Sequence, residues 1–352
     1  MGLTARRSSR WGIVVGSLAA LAALAGGAAS TARSAAPANV YVAATGSDSN
    51  PCTQAAPCQS FDRAYRVATA GQVVQVAAGS YPAQTIGVDT SKTSTIDVVI
   101  GAAPGSAVVV TGAVTVYGKH LELRDMTFSG GWTTKYPAVD VTFRNVKAKL
   151  ISIQSSRYVN VLGGEVGPWT ATGEGDPKIS KSSAGSTTVP SNIVIDGVLF
   201  HDIVRPAGSG FHTECLQIGA AVNLTIRNSR FENCATHAIL LTSWGSSYTL
   251  QNITIEDNLF GAVPDGYHSL TLDITSAGAP CQSCTIRRNT AGKPIATNVE
   301  RSGSTIFVTE NSMSKADLAA PGWCDHGLYG VTWDRNTFSA PPTCGTNAVL
   351  AP

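Results

Sequence analysis

Residues 191–200, 222–231 and 251–260 repeat one phrase. Ile193, Leu224 and Ile253 stand two positions before Ile195, Ile226 and Ile255. Gly197, Asn228 and Asp257 follow, and Phe200, Phe231 and Phe260 close the phrase. The alternation marks a short strand with one face buried. The Gly, Asn or Asp after it supports a tight bend with unusual backbone angles. The Phe opens a second, inward-pointing strand.

The phrase extends along the chain. Taking the last apolar residue before each bend as an anchor gives Leu123, Phe143, Val161, Ile195, Ile226, Ile255, Ile286, Val308 and Trp333. Five residues after each stand Phe128, Ala148, Val166, Phe200, Phe231, Phe260, Ala291, Met313 and Phe338. By subtraction the anchors are 20, 18, 34, 31, 29, 31, 22 and 25 residues apart. Repeats of that length built of short strands indicate a solenoid or a propeller, and a propeller blade needs a more uniform ~40 residues. The elastic period fits an all-β chain in which each repeat is one coil of a parallel β-helix. The crossover rule for parallel strands makes that helix right-handed. The low charge, 14%, and the 35 glycines suit strands and turns. One domain is expected over 37–352, with the coil from about Val40 to about Phe338.

Asn258, Asn289, Asn311 and Asn336 each stand three residues after an anchor. Asn tolerates left-handed backbone angles, and stacked amides can bond from coil to coil, so a structural ladder is expected. Asn223 and Asn252 head Asn-x-Thr triplets that fit glycosylation acceptors formally. Both fall inside the repeat phrase and carry no functional weight.

Residues 1–36 have the layout of a secretory signal peptide: Arg6, Arg7 and Arg10, an apolar run from Ile13 to Ala25, then small residues. The run is short of the ~20 residues of a membrane span, so the mature protein is expected to have none. Removing Arg6, Arg7, Arg10 and Arg33 takes the formal charge from +2 to −2. A nearly neutral exported chain gives no reason to expect nucleic acid as a partner. A monomer is expected.

Eight cysteines in an exported chain permit disulfides. Proximity suggests Cys52–Cys58, Cys281–Cys284 and Cys324–Cys344, leaving Cys215–Cys234. Zinc is the rival at Cys281 and Cys284, but no second pair of ligands is spaced to complete it.

The segment 37–86 holds Val40-Tyr41-Val42, a Gly46-Ser47-Asp48 loop, a helical patch near 62–70 and a strand running into Ala78-Gly79-Ser80-Tyr81. It resembles the N-terminal cap of extracellular right-handed parallel β-helix proteins of the pectate-lyase-like superfamily. The resemblance implies that residues 58–70 form a helix covering the open end of the first coil. An uncapped solenoid end exposes core and strand edges. The resemblance reaches the repeats generically and no specific enzyme family. Residues 167–190, rich in Gly, Ser, Thr and Pro with Trp169, Glu174, Asp176, Lys178 and Lys181, are expected to form a long loop. Residues 339–352 form a tail.

The densest polar cluster lies between consecutive coils. His201, Asp202, Arg205, His212, Glu214 and Gln217 come first, then His237 and Trp244, then His268 and Asp273. Matching positions of successive coils lie about 4.8 Å apart. His212 or Glu214, His237 and His268 are therefore expected to form one column beside a groove that suits an extended polysaccharide. Two chemistries are open. Hydrolysis needs two carboxylates, for which Glu214 with Asp202 or Asp273 can serve. The Asn-Thr-Asp, Asp-Asp and Gly-His-Gly motifs of the pectin-hydrolysing β-helix family are missing. Elimination beside a uronate carboxylate needs a base and a neutralising cation. His212, His237 or a lysine of the long loop is the candidate base, with Arg205 or Ca²⁺ as the cation, though no Asp cluster has clear Ca²⁺ spacing. Gln217, His268, Asp273 and Trp244 are candidate substrate contacts, and Trp169 a second stacking surface. The alternative is a non-catalytic glycan-binding or cell-surface β-helix, because fold does not decide function.

Overall fold

The computed structural model describes residues 40–172, 177–183, 185–243, 245–264, 268–313 and 330–338. The expected leader, Glu174, Asp176, Trp244, the Cys324–Cys344 pair and the tail lie outside the described residues.

The chain winds through three sheets, and every pairing within them is parallel. The first sheet runs from Val40–Val42 to Val331–Asp334, the second from Gln84–Ile86 to Ile295–Val299, and the third from Gly79–Tyr81 to Thr337–Phe338. From Val73–Val76 to Ile295–Val299 each coil visits the first sheet, then the third, then the second. This is a three-sided parallel β-helix with its apolar core running along the axis.

The repeat phrase dictates the register. All nine anchors are partners in sequence, from Leu123 opposite Phe143 to Val308 opposite Trp333. The residues five positions on form a second column in the third sheet, from Phe128 to Phe338. Within it Phe200 and Phe231 stack with centroids 4.6 Å apart, and Phe260 continues at 5.3 Å. The bend between the columns is left-handed in every copy. The residue two after the anchor has positive φ at Asp125, Asn145, Gly163, Gly197, Asn228, Asp257, Arg288, Glu310 and Arg335.

The buried ladder forms, for one of the two reasons expected. Asn258 Nδ2 donates to Asn289 Oδ1 (3.0 Å), Asn289 Nδ2 to Asn311 Oδ1 (3.0 Å), and Asn311 Nδ2 to Asn336 Oδ1 (2.9 Å). The left-handed residue is the one before each Asn, so the amide is selected by hydrogen bonding rather than by backbone angle. Each amide also donates to a backbone carbonyl near the bend, as Asn289 does to Ile255 O.

A helix spans Phe61–Val67. Ser60 Oγ caps it by accepting from Arg63 N–H, and Phe61, Ala64 and Tyr65 are buried. It packs on the end strands Val40–Val42 and Gln84–Ile86. Asp48 accepts N–H groups of Gln59 (2.9 Å) and Ser60 (2.8 Å) and so ties the preceding loop to the helix start.

The stretch 167–190 is not simply a loop. Lys178–Ser180 is a strand of the second sheet, between Ile151–Gln154 and Glu214–Ile218. Trp169 is buried and belongs to a short strand paired with Leu199–Val204, so it is core rather than a sugar-stacking surface. Three residues of strand show no readable alternation, and for that reason the segment reads as loop in sequence.

Candidate active site

Glu214 opens the strand Glu214–Ile218 and stands opposite His237, which opens His237–Thr242 in the next coil. Alternation puts Glu214 on the same strand face as Leu216 and Ile218, both fully buried. The Glu214 side chain is 0% exposed. A carboxylate taken out of water is costly unless hydrogen-bonded or paired. Here its neighbours converge on one oxygen. Thr236 Oγ1 donates to Glu214 Oε1 at 2.8 Å, and the Nδ1 atoms of His212 and His237 each lie 3.4 Å from it. The Thr236 hydroxyl in turn accepts from Thr213 N–H.

The two imidazoles differ in access. The His212 side chain is 65% exposed and that of His237 15%. Their rings lie 6.5 Å apart and nearly parallel. The disulfide Cys215–Cys234 spans adjacent coils, one residue after Glu214 and two before Thr236, and fixes their spacing. Cys52–Cys58 and Cys281–Cys284 are also bonded.

The other candidates separate. Arg205 Nη1 donates to Phe211 O (2.8 Å), so this guanidinium braces the turn that carries His212. His268 stands two residues before Leu270, as His237 stands two before its partner Ile239, and so follows His237 along the repeat. Gln217 and Asp273 alternate out of phase with the buried residues of their strands, which puts them on the outer face of the second sheet. Asp273 Oδ1 accepts from Asn298 Nδ2 at 2.7 Å. Glu214 and Asp273 thus belong to opposite strand faces. The structure brings together His212, Glu214 and His237, and sets the Thr236 hydroxyl beside them.

Calcium takes about six to eight oxygen ligands. Two imidazoles around one buried carboxylate do not supply them, so these residues do not fit Ca²⁺.

Sequence reading missed a second polar column. Three residues before successive anchors stand His120, Asp140, Tyr158, Asn192, Asn223, Asn252 and Ser283, all with positive φ. Asn252 Nδ2 donates to Asn223 Oδ1 (2.8 Å) and Asn223 Nδ2 to Asn192 Oδ1 (3.0 Å). They line a shallow groove of about 390 Å³ with Asp140 and Tyr158. The available signal was the Asn shared by all three copies of the phrase at this position.

No protein-family model and no curated relative matches the chain. Solved structures do. The pectate lyase Pel9A superposes with a TM-score of 0.51 over 86% of this chain and 77% of its own, at 13% identity. The fold is that of the pectate-lyase-like β-helix proteins. An alginate lyase from Paenibacillus sp. str. FPU-7 superposes on this β-helix with a TM-score of 0.50, at 16% identity, over 80% of this chain and 96% of its own. XylC in complex with xylose does so with a TM-score of 0.50, at 10% identity, over 78% and 68%. At these identities the likeness describes the β-helix scaffold and leaves the chemistry to the residues on it.

Proposed function

We propose that this β-helix is a secreted enzyme that cleaves an extracellular, uronate-containing polysaccharide by β-elimination, with His212 as the proton-transfer group. The observation that carries this reading is a fully buried Glu214 carboxylate held against one exposed and one half-buried imidazole. A buried carboxylate cannot reach a sugar, but it can fix the orientation and proton position of an imidazole that does. That favours one exposed base over the two facing carboxylates hydrolysis needs. His212 takes the proton beside the uronate carboxylate. The electrons of that C–H bond form the new C=C bond, and the C–O bond to the leaving sugar breaks as its oxygen takes a proton from water, to which the imidazolium later returns its own. Glu214 and Thr236 position the base, His237 is the second imidazole of the site, and Arg205, on the turn that carries His212, is the cation for the uronate carboxylate. The β-helix scaffolds of a pectate lyase and an alginate lyase are compatible with this reading.

We read the coil as right-handed, the helix Phe61–Val67 as the cap of its N-terminal end, and residues 1–36 as an export signal. The three disulfides suit an oxidising compartment. Among the described residues no helix is long and apolar enough to cross a membrane.

The test is turnover of uronate and neutral polysaccharides by the purified protein, with and without Ca²⁺, followed by unsaturated-product absorbance and reducing ends. Absorbance should rise on a uronate polymer, and His212→Ala should abolish the rise while β-sheet circular dichroism is retained. Undiminished turnover by His212→Ala overturns the assignment. A second reading, non-catalytic glycan binding, is favoured by the groove lined by Tyr158, Asn192, Asn223 and Asn252. Glycan binding without turnover, lost on Tyr158→Ala, would decide for it.

A further inference from the structure

The outer polar column begins one coil earlier than its left-handed residues. Asp97, His120 and Asp140 stand three positions before Ile100, Leu123 and Phe143, which are register partners in successive coils of the first sheet. Each of the three offers a donor atom, and these atoms lie within 4.8 Å of one another. His120 Nδ1 is 2.8 Å from Asp140 Oδ2. Asp97 Oδ1 is buried and has no hydrogen-bond partner. The nearby Glu122 turns to Arg124 (3.6 Å) and Arg144 (3.1 Å), so those two cations are engaged by another carboxylate. A carboxylate oxygen without a donor, beside a second carboxylate and an imidazole, is a place short of positive charge.

We propose that Asp97, His120 and Asp140 together bind one divalent transition-metal ion of the zinc type. Two carboxylates and an imidazole are the mixed O/N donors such ions take, whereas Ca²⁺ prefers oxygens alone. The ion would replace the His120–Asp140 hydrogen bond and give Asp97 Oδ1 the partner it lacks. His120 also borders a hollow beside Thr69, Lys92 and Ser94, and Asp140 borders the Asn-lined groove. The ion would therefore keep open positions for water or a ligand oxygen at the head of that groove. This site is independent of the chemistry proposed for His212 and Glu214.

The test uses the whole chain, purified without a histidine tag and stripped with EDTA. It is run in a His212→Ala/His237→Ala background, so that the other cluster cannot contribute. Titration with ZnCl₂ in a calorimeter should show one equivalent bound, with a rise in melting temperature. Asp97→Asn and His120→Ala should each weaken binding at least tenfold and abolish the rise, with circular dichroism unchanged. If either variant fails to fold, Asp140→Asn supplies the same reading. No binding in the background protein, or binding that these variants leave unchanged, overturns the proposal.

Discussion

Glu214 Oε1 lies 3.4 Å from His237 Nδ1, and the two residues are register partners in adjacent coils. The contact is therefore set by the backbone ladder and does not depend on a mobile loop. Glu214→Gln keeps the shape and removes the charge. Turnover of a uronate polymer should fall at least about tenfold, as a lost orienting contact of about 1.4 kcal/mol implies. The circular dichroism spectrum should not change. Wild-type turnover in this variant would leave Glu214 a purely structural residue.

The Phe200–Phe231–Phe260 stack predicts a stability cost away from the site. Phe231 is fully buried between the other two rings. Phe231→Ala should cost about 3–5 kcal/mol in denaturant unfolding. A loss under 1 kcal/mol, on the order of an exposed-site change, would contradict the close packing of this column.

The asparagine ladder predicts a polar counterpart. Asn289 Oδ1 accepts from Asn258 N–H and Nδ2, and its own Nδ2 donates to Ile255 O and Asn311 Oδ1. Asn289→Ala leaves several of these buried groups without partners, at about 1–3 kcal/mol for each left unsatisfied. Asn289→Asp should be worse, because a carboxylate cannot donate. Urea midpoints for the two variants, in that order, check this.

Asp48 predicts a pH dependence. Burial alone would raise its carboxyl, but hydrogen bonds from Ser60 and Gln59 and the charge of Arg63 outweigh it and hold the group below the ordinary carboxylate range. The folded state thus favours ionised Asp48. Its contribution is present above the unfolded value of about 3.9 and is lost as pH falls through the lower folded value. Asp48→Asn should flatten the acid limb of melting temperature against pH relative to wild type. A parallel limb would show that the loop hydrogen bonds do not survive in solution.

The disulfide Cys215–Cys234 closes 19 residues. The chain-entropy model gives it about 3 kcal/mol. Replacing both cysteines by Ala should cost roughly that and should also lower turnover, because Glu214 and Thr236 flank the bond. Peptide mapping of the unreduced protein should recover this link along with Cys52–Cys58 and Cys281–Cys284.

The columns of the fold were legible because one residue class recurs at one offset. Ile195, Ile226 and Ile255 repeat in kind, and so do Phe200, Phe231 and Phe260, so the register could be counted without coordinates. The site was half legible. His212, Glu214 and His237 are close in sequence to coil boundaries, and counting puts one of the first two in a column with His237. Burial of Glu214, and with it the change from direct catalyst to positioning group, could not be read, because strand phase at a coil corner depends on turn length. Asp97, His120 and Asp140 were invisible for the opposite reason. They share an offset but not a residue type, and the anchor at Ile100 lies before the phrase becomes regular. The bond from Arg205 to Phe211 O was not legible, because a backbone acceptor leaves no mark in the residue pattern.

The unequal anchor spacings have a consequence for how such a chain tolerates insertions. Leu224 and Ile226 alternate within a strand paired on both sides, so one residue added between them would turn a buried side chain outward and carry the error into both neighbours. The same residue added among 206–210, in the turn before His212, would leave every rung in phase. Length can thus drift freely at the corners, where the candidate site is built, while the three walls stay locked in frame.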